Sequence, residues 1–265
     1  MLALIDGDII VYSVGFFNDI SYYLVNGEMF QYKRDAKAYC KKHGYKEESI
    51  AKVHKANPVD QYYEGIDVMV DKIKSAVSSN EAILYLTGKG NFREEIAVTA
   101  PYKGNRENTA KPYHFDEMRE YLISKWNAEL IEGMEADDAM GIRQTLDPEE
   151  DTVICSIDKD LLMIPGNHYN WRKETFTQID ELTGWRNFYE QMLKGDSTDN
   201  IIGLPRVGDK TATKMLMYKA TPEEMCNEVI TQYKKYFGDS WSDRLSENAS
   251  LLYIRRHNAE QWKPH

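Results

Sequence analysis

The chain has 265 residues, 42% of them hydrophobic and 29% charged, which is long and apolar enough to bury a sizeable core and excludes wholesale disorder. Its net charge of −10 runs against the basic footprint that a nucleic-acid-binding domain usually carries. No apolar run approaches the roughly 18 residues of a membrane span, no basic leader precedes the N-terminal apolar run, and Cys40, Cys155 and Cys226 form no CxxC pair, so a reduced, cytoplasmic protein without disulfide frame or zinc site is expected.

Leu2 to Ile5 is a short apolar run that stops at Asp6-Gly7-Asp8 and reads as a buried strand ending in a turn, with a helix over 9–16 behind it. Tyr22 to Val25 and Met29 to Tyr32 flank Asn26-Gly27, a pair that supplies the positive φ angles of a type I′ turn and so predicts a β-hairpin. Residues 34–43 read as a helix. From Asp60 to Ser79, Tyr62, Ile66, Val70, Ile73 and Val77 recur at three- or four-residue spacing and mark one face of an amphipathic helix. A strand over Ala82 to Leu86 follows. Next come a helix carrying Phe115, Met118, Leu122 and Trp126, a strand over Glu129 to Ile131, a helix over Glu135 to Thr145 and a strand over Thr152 to Ile157. His168 to Gln178 reads as two edge strands. The alternation predicts an α/β fold, a parallel sheet with helices on both faces. From Asp180 only helical patterns appear, over 181–194, 208–219, 222–236 and 240–257, so a helical subdomain is expected to begin near Lys194.

Charge is unevenly spread along this frame. Between Glu129 and Asp160 the bases Arg143 and Lys159 stand among a crowd of acids, whereas Arg206, Lys210, Lys214 and Lys219 face Asp209 alone and a second basic segment holds Lys103, Arg106 and Lys111. Ligands of open parallel sheets bind beyond the carboxyl ends of the strands. Acids collect there: Asp6 and Asp8 after the first strand, Glu135, Asp137 and Asp138 after the strand near 130, Asp158 and Asp160 after the strand ending at Ile157. Carboxylates so crowded repel one another unless cations neutralise them, and an all-oxygen donor set suits magnesium or manganese. Two such ions would serve phosphodiester hydrolysis. Each group of acids also has a plain structural reading, in helix first turns and caps.

The segment from Gly195 and Asp196 through Asp199, Gly203, Arg206, Gly208, Lys210 and Thr211 is the most specific in the chain. Gly203 and Gly208 let backbone approach closely, and a helix starting near Val207 would turn its amides toward a phosphate, with Lys210 and Lys214 on nearby turns. A glycine-flanked loop of this kind binds nucleic-acid backbone without reading sequence.

Together Ile5-Asp6-Gly7-Asp8, Tyr102-Lys103-Gly104-Asn105-Arg106, Glu135-Ala136-Asp137-Asp138, Ser156-Ile157-Asp158-Lys159-Asp160 and the 195–212 segment resemble the 5′-nuclease superfamily, in particular flap endonucleases, phage 5′ to 3′ exonucleases and phage ribonuclease-H-type nucleases. The resemblance implies a PIN-like catalytic domain over 1–193 with a helical arch near 92–125, and a helix-three-turn-helix DNA-binding subdomain over 194–265. It implies a monomeric, metal-dependent 5′ to 3′ exonuclease or flap endonuclease of phage replication or recombination, in the host cytoplasm. Its substrates would be DNA duplexes with a 5′ end or 5′ flap, extending to RNA:DNA hybrids, and replisome proteins would be its partners. Two Mg2+ or Mn2+ ions are implied, with K+ at the helix-three-turn-helix loop. Carried over by position, Asp6, Glu135 and Asp137 serve the first ion with Asp138 close by, and Asp158, Asp160, Asp196 and Asp199 serve the second. Asp6 and Asp158 join Lys103 and Arg106, which touch the scissile phosphate, as catalytic residues, while Tyr102 stacks on a base. Gly203, Arg206, Gly208, Lys210, Thr211 and Lys214 grip the duplex.

One departure stands out. The family's aspartate after the strand ending Leu84-Tyr85-Leu86 is replaced by Thr87-Gly88-Lys89-Gly90, with Asp8 as a candidate substitute that reaches the metal through water. Two readings compete with the nuclease: a DNA-structure-binding protein with a decayed metal site, and a haloacid-dehalogenase-type phosphatase using Asp6, Asp8 and Thr87. The phosphatase leaves the Glu135 motif and the glycine loop unexplained.

Overall fold

The computed structural model describes residues 1–106, 109–147 and 150–265, so Glu107 and Asn108 of the expected arch and Glu149 of the acid-rich stretch lie outside the described residues. In chain order the elements are β1 (Leu2–Asp6), α1 (Gly7–Asn18), β2 (Ile20–Val25), β3 (Glu28–Phe30), α2 (Lys33–His43), β4 (Ala51–Lys55), α3 (Val59–Ala76), β5 (Ala82–Thr87), α4 (Phe92–Ile96) and α5 (Phe115–Trp126). They continue with β6 (Glu129–Ile131), α6 (Ala136–Leu146), β7 (Thr152–Cys155), β8 (Gly166–Asn170), β9 (Thr175–Ile179), α7 (Glu181–Lys194), β10 (Gly195–Asp196), β11 (Ile201–Ile202), α8 (Asp209–Leu216), α9 (Pro222–Phe237) and α10 (Trp241–Leu252).

The main sheet runs β6-β5-β1-β7-β8-β9, parallel except for β9. β1 lies between β5 and β7 with helices packed on both faces of the sheet, which is why it reads as an unbroken apolar run. Alternation along the strands then sorts the side chains. Ala3, Ile5, Leu84, Leu86, Val153 and Cys155 join α1, α3 and α5 in one core, while Leu4, Tyr85 and Ile154 join α6 and the C-terminal helices in the other. α3 turns Tyr62, Ile66, Val70 and Ile73 inward, as its spacing requires.

The chain steps from β1 to β5 and β6 on one side and returns to β7 on the other, creating the crossover point at which open sheets bind ligands. Asp6 ends the central strand there and caps α1, its Oδ1 accepting from the Ile9 N–H at 3.1 Å. Gly7 is required because a Cβ would stand 2.7 Å from the Tyr85 carbonyl oxygen.

Three details differ from the sequence expectation. The hairpin at Asn26-Gly27 forms, with φ of 49° and 87°, but β4 adds a third strand to it; with Lys52, His54 and Lys55 exposed, β4 has no apolar alternation by which to be read. The region after Asp180 is not wholly helical, since β10 pairs with β11, a ribbon too short for any periodicity. Its close packing requires Gly203, where a Cβ would meet the Lys194 carbonyl carbon at 2.1 Å. The helix expected from Val207 begins at Asp209 because Gly208 is extended and serves as its N-cap. All three cysteines are buried and free, and no helix among the described residues is long and apolar enough to cross a membrane.

Candidate metal-binding cleft and nucleic-acid interface

A cleft of about 640 Å³ opens over the carboxyl ends of β1, β5 and β7. Asp6, Asp8, Glu135, Asp137 and Asp158, drawn from three distant parts of the chain, line it together with Tyr102, Lys103 and Arg106. Asp6 is buried, and its second carboxylate oxygen accepts from the Ser156 hydroxyl at 2.9 Å. Burial, then the neighbouring Asp8, pushes its pKa up to about 7. Asp137 is likewise raised, by desolvation first and then by Asp6, Asp158 and Glu135, with Lys103 opposing. Asp158 holds the turn after β7, its Oδ1 accepting from the Asp160 N–H at 2.9 Å.

The remaining predicted acids lie around this group, not in the cleft lining. Burial and then Asp158 raise Asp160 to about 8, and it shares a hydrogen bond with Asp196. Asp196 is itself tied down by the Thr198 N–H at 2.7 Å and the Gln191 amide at 3.1 Å. Asp199 pairs with Arg106 and accepts from the Tyr102 hydroxyl at 2.9 Å. Lys103 donates its backbone N–H to the Asp199 carbonyl at 2.9 Å and its ammonium to Glu135. The strand-end acids and the 102–106 motif therefore converge although nearly a hundred residues separate some of them.

Three predicted roles meet a different geometry. Asp138 is fully buried and faces away from the cleft: Arg93 grips both of its oxygens, at 2.5 and 2.9 Å, and the backbone N–H groups of Arg255 and Glu135 complete its shell. It has no lone pair left for a metal. Tyr102 cannot offer its face to a base, because its ring is buried and its hydroxyl bridges Glu135 and Asp199. Asp8 is not free either; one oxygen pairs with Arg119 and the other accepts from the Thr87 N–H at 2.8 Å. At Gly88 a Cβ would stand 2.6 Å from the Ile131 carbonyl oxygen, so this position admits no side chain, and Thr87 before it carries no carboxylate. Arg93 and Arg119 were not legible as site residues, since a lone arginine in a helix reads as solvated charge.

The donor set fits a hard divalent cation. It is all oxygen, and burial first, then repulsion among the neighbouring acids, raises the pKa values of Asp6 and Asp137, a cost that a bound cation would offset. Among the described residues no three acids already close around one point; they stand on the cleft walls. A pH effect follows. Asp6 binds its proton up to about pH 7 in the folded chain but only up to its ordinary 3.8 when unfolded. The folded state holds more protons in that window, so stability falls as pH rises through it. In chelator, the melting temperature should drop by a few degrees between pH 5.5 and 8.5, as calorimetry would record. Asp6→Asn should lessen that drop; a wild-type melting temperature that rises over this range would contradict the assignment.

Beyond the β10–β11 ribbon, Arg206, Gly208, Lys210, Thr211 and Lys214 are all exposed. Arg206 takes a left-handed φ of 63°, which turns the chain into α8, and the space over Gly208 is open. Gly203 differs: it is buried in the ribbon packing.

Sheet order and cleft define a parallel-sheet α/β protein with its carboxylates gathered at the crossover point. Against known proteins, the chain is 32% identical over 155 residues to the exodeoxyribonuclease of Enterobacteria phage T3, covering 54% of this chain and 51% of that one. It is 31% identical over 214 residues to DNA polymerase I of Bacillus caldotenax, covering 72% of this chain and 23% of the polymerase. The chain thus spans about half of the phage protein and a quarter of the polymerase. Among solved structures it resembles the phage T5 D15 protein crystallised with metal ions, with a TM-score of 0.59 and 16% identity over 96% of this chain and 88% of that one. The T5 D15 flap endonuclease in a complex with DNA and metal ions gives 0.52 and 14%, covering 95% of this chain and 98% of that one. These likenesses establish the fold. No protein-family profile matches. The chain is homologous to the T3 exonuclease and to the matched part of DNA polymerase I, and the resemblance to the 5′-nuclease superfamily drawn from its motifs holds.

Proposed function

We propose that the protein is a divalent-metal-dependent 5′ to 3′ exonuclease or flap endonuclease acting on DNA. The observation that carries this is the meeting of Asp6, Glu135, Asp137 and Asp158 with Lys103 and Arg106 in one cleft. Asp6, Glu135, Asp137 and Asp158 would hold the ions, with Asp160, Asp196 and Asp199 supporting them from the adjoining turn. Asp138 is left out of the set, since its oxygens are spent on Arg93. Held by these residues, a divalent ion would supply activation of water and compensation of phosphate charge. The chain's own residues do the rest. Lys103 and Arg106 rest on Glu135 and Asp199, and they exchange these partners for the scissile phosphate when a strand enters. Tyr102 bridges Glu135 and Asp199 and so positions both.

In this reading residues 1–193 form the catalytic domain, the segment near 92–125 is the arch over the entering strand, and 194–265 form a helix-three-turn-helix DNA grip. Two Mg2+ or Mn2+ ions in the cleft, potassium at the 203–208 loop, cleavage of RNA in RNA:DNA hybrids, a monomeric state, a phage origin and replisome partners belong to the same proposal, resting on motif order and on the phage homologue. Duplex, 5′-flap and hybrid substrates labelled at either end should shorten from the 5′ side with Mg2+ or Mn2+ and stay intact in chelator. Tight binding without cleavage in either metal would favour the DNA-binding alternative. Lys210 is exposed on α8, so Lys210→Ala should weaken duplex binding and flatten its log–log salt slope by about 0.9. An unchanged slope, measured by anisotropy across a salt series, would remove Lys210 from the grip.

A further inference from the structure

The cleft has a second basic end that the reading above does not use. Lys111 and Arg119 both lie against the ring of Phe115, the Lys111 ammonium 4.3 Å and the Arg119 guanidinium carbon 5.6 Å from its centroid, and all three line the cleft with Asp6 and Asp158. Arg119 is held in place from behind. One of its amino groups donates to Asp8 and the other to the Thr87 carbonyl oxygen at 2.6 Å, while Thr87 returns its N–H to Asp8 at 2.8 Å. This ring of contacts ties α1, the end of β5 and α5 together and fixes the plane of the guanidinium. A guanidinium has five N–H donors, so donors remain, and the side chain keeps 17% exposure. Lys111 makes no ion pair among the described residues.

A fixed planar cation beside a mobile point charge matches the geometry of phosphate recognition. A phosphate monoester carries about −1.5 to −2 near pH 7, more than a diester, and so gains more from the Lys111 charge, unpaired among the described residues, beside the Arg119 donors that Asp8 and Thr87 leave open. We propose that Lys111 and Arg119 form a second phosphate subsite that takes the terminal 5′-monophosphate of the strand whose next phosphodiester lies at Lys103 and Arg106. Asp8 is then a positioning residue, acting through Arg119. The proposal rests on the nuclease reading for the identity of the strand.

Its test is anisotropy of the full chain in chelator, with 3′-labelled duplexes bearing a 5′ overhang that ends in phosphate or in hydroxyl. The 5′-phosphate should bind roughly tenfold tighter, and Lys111→Gln and Arg119→Gln should each remove the preference. Lys111→Gln disturbs no ion pair and keeps the test valid if Arg119→Gln melts early. Equal wild-type affinity for both ends, or a preference that survives in Lys111→Gln, would overturn the subsite. Restoring metal separates the two readings: cleavage from 5′ ends without discrimination defeats the subsite alone, whereas discrimination without any cleavage defeats the nuclease and keeps the subsite.

Discussion

Asp158→Asn is expected to lower metal-dependent cleavage by roughly 10²–10³-fold or more, the scale on which a lost electrostatic stabiliser of the transition state is felt. The reasons are local. Asp158 lines the cleft beside Asp6 and Asp137 and adds to the charge that raises both. Its structural duty is one accepted bond from the Asp160 N–H, which an asparagine carbonyl can also accept. The variant should therefore fold as well as the wild type in chelator, and by relieving repulsion it should melt no lower. DNA binding through Lys210 and its neighbours should survive. Single-turnover cleavage alongside a melting curve reads both effects, and undiminished cleavage would remove Asp158 from the catalytic set.

The second large effect concerns stability. Arg93 is the largest fully buried side chain; besides gripping Asp138 it donates to the carbonyl oxygens of Leu251 at 2.9 Å and Tyr253 at 2.7 Å. It thereby pins the end of α10 against the start of α6, directly behind Glu135. Removing one partner of a buried pair strands the other, at a cost of about 3–5 kcal/mol. Arg93→Ala should lose that much by denaturant titration and melt roughly 10 °C lower. Arg93→Met combined with Asp138→Leu should recover part of the loss, because no charge is left unpaired. A single variant as stable as the wild type would show that the ion pair contributes little.

Most of the architecture was legible because periodicity is strong where burial is strong. β1, β7 and α3 are apolar for the whole length of a buried face, and Asn26-Gly27 supplies its own turn geometry. β4 and the β10–β11 ribbon were not, since pairing partners rather than local patterns hold them. In the site, strand-end acids could be found from position alone, but their orientation could not. Asp137 and Asp138 are adjacent in sequence, yet the helix turns one toward the cleft and the other into the core, where Arg93 waits from a segment more than forty residues earlier. The same limit applies to Tyr102, an aromatic in a basic motif that serves through its hydroxyl, and to Arg119, whose partner Asp8 lies 111 residues earlier in the chain.

The central claim, that these carboxylates are a divalent-metal site, is tested most directly without any substrate. Titration of the metal-free full chain with Mn2+, followed by electron paramagnetic resonance, should show saturable binding that Asp137→Asn weakens at least tenfold, about 1.4 kcal/mol. Lys210→Ala should leave it unchanged. Equal Mn2+ affinity in the wild type and Asp137→Asn, or no saturable binding at millimolar metal, would contradict it.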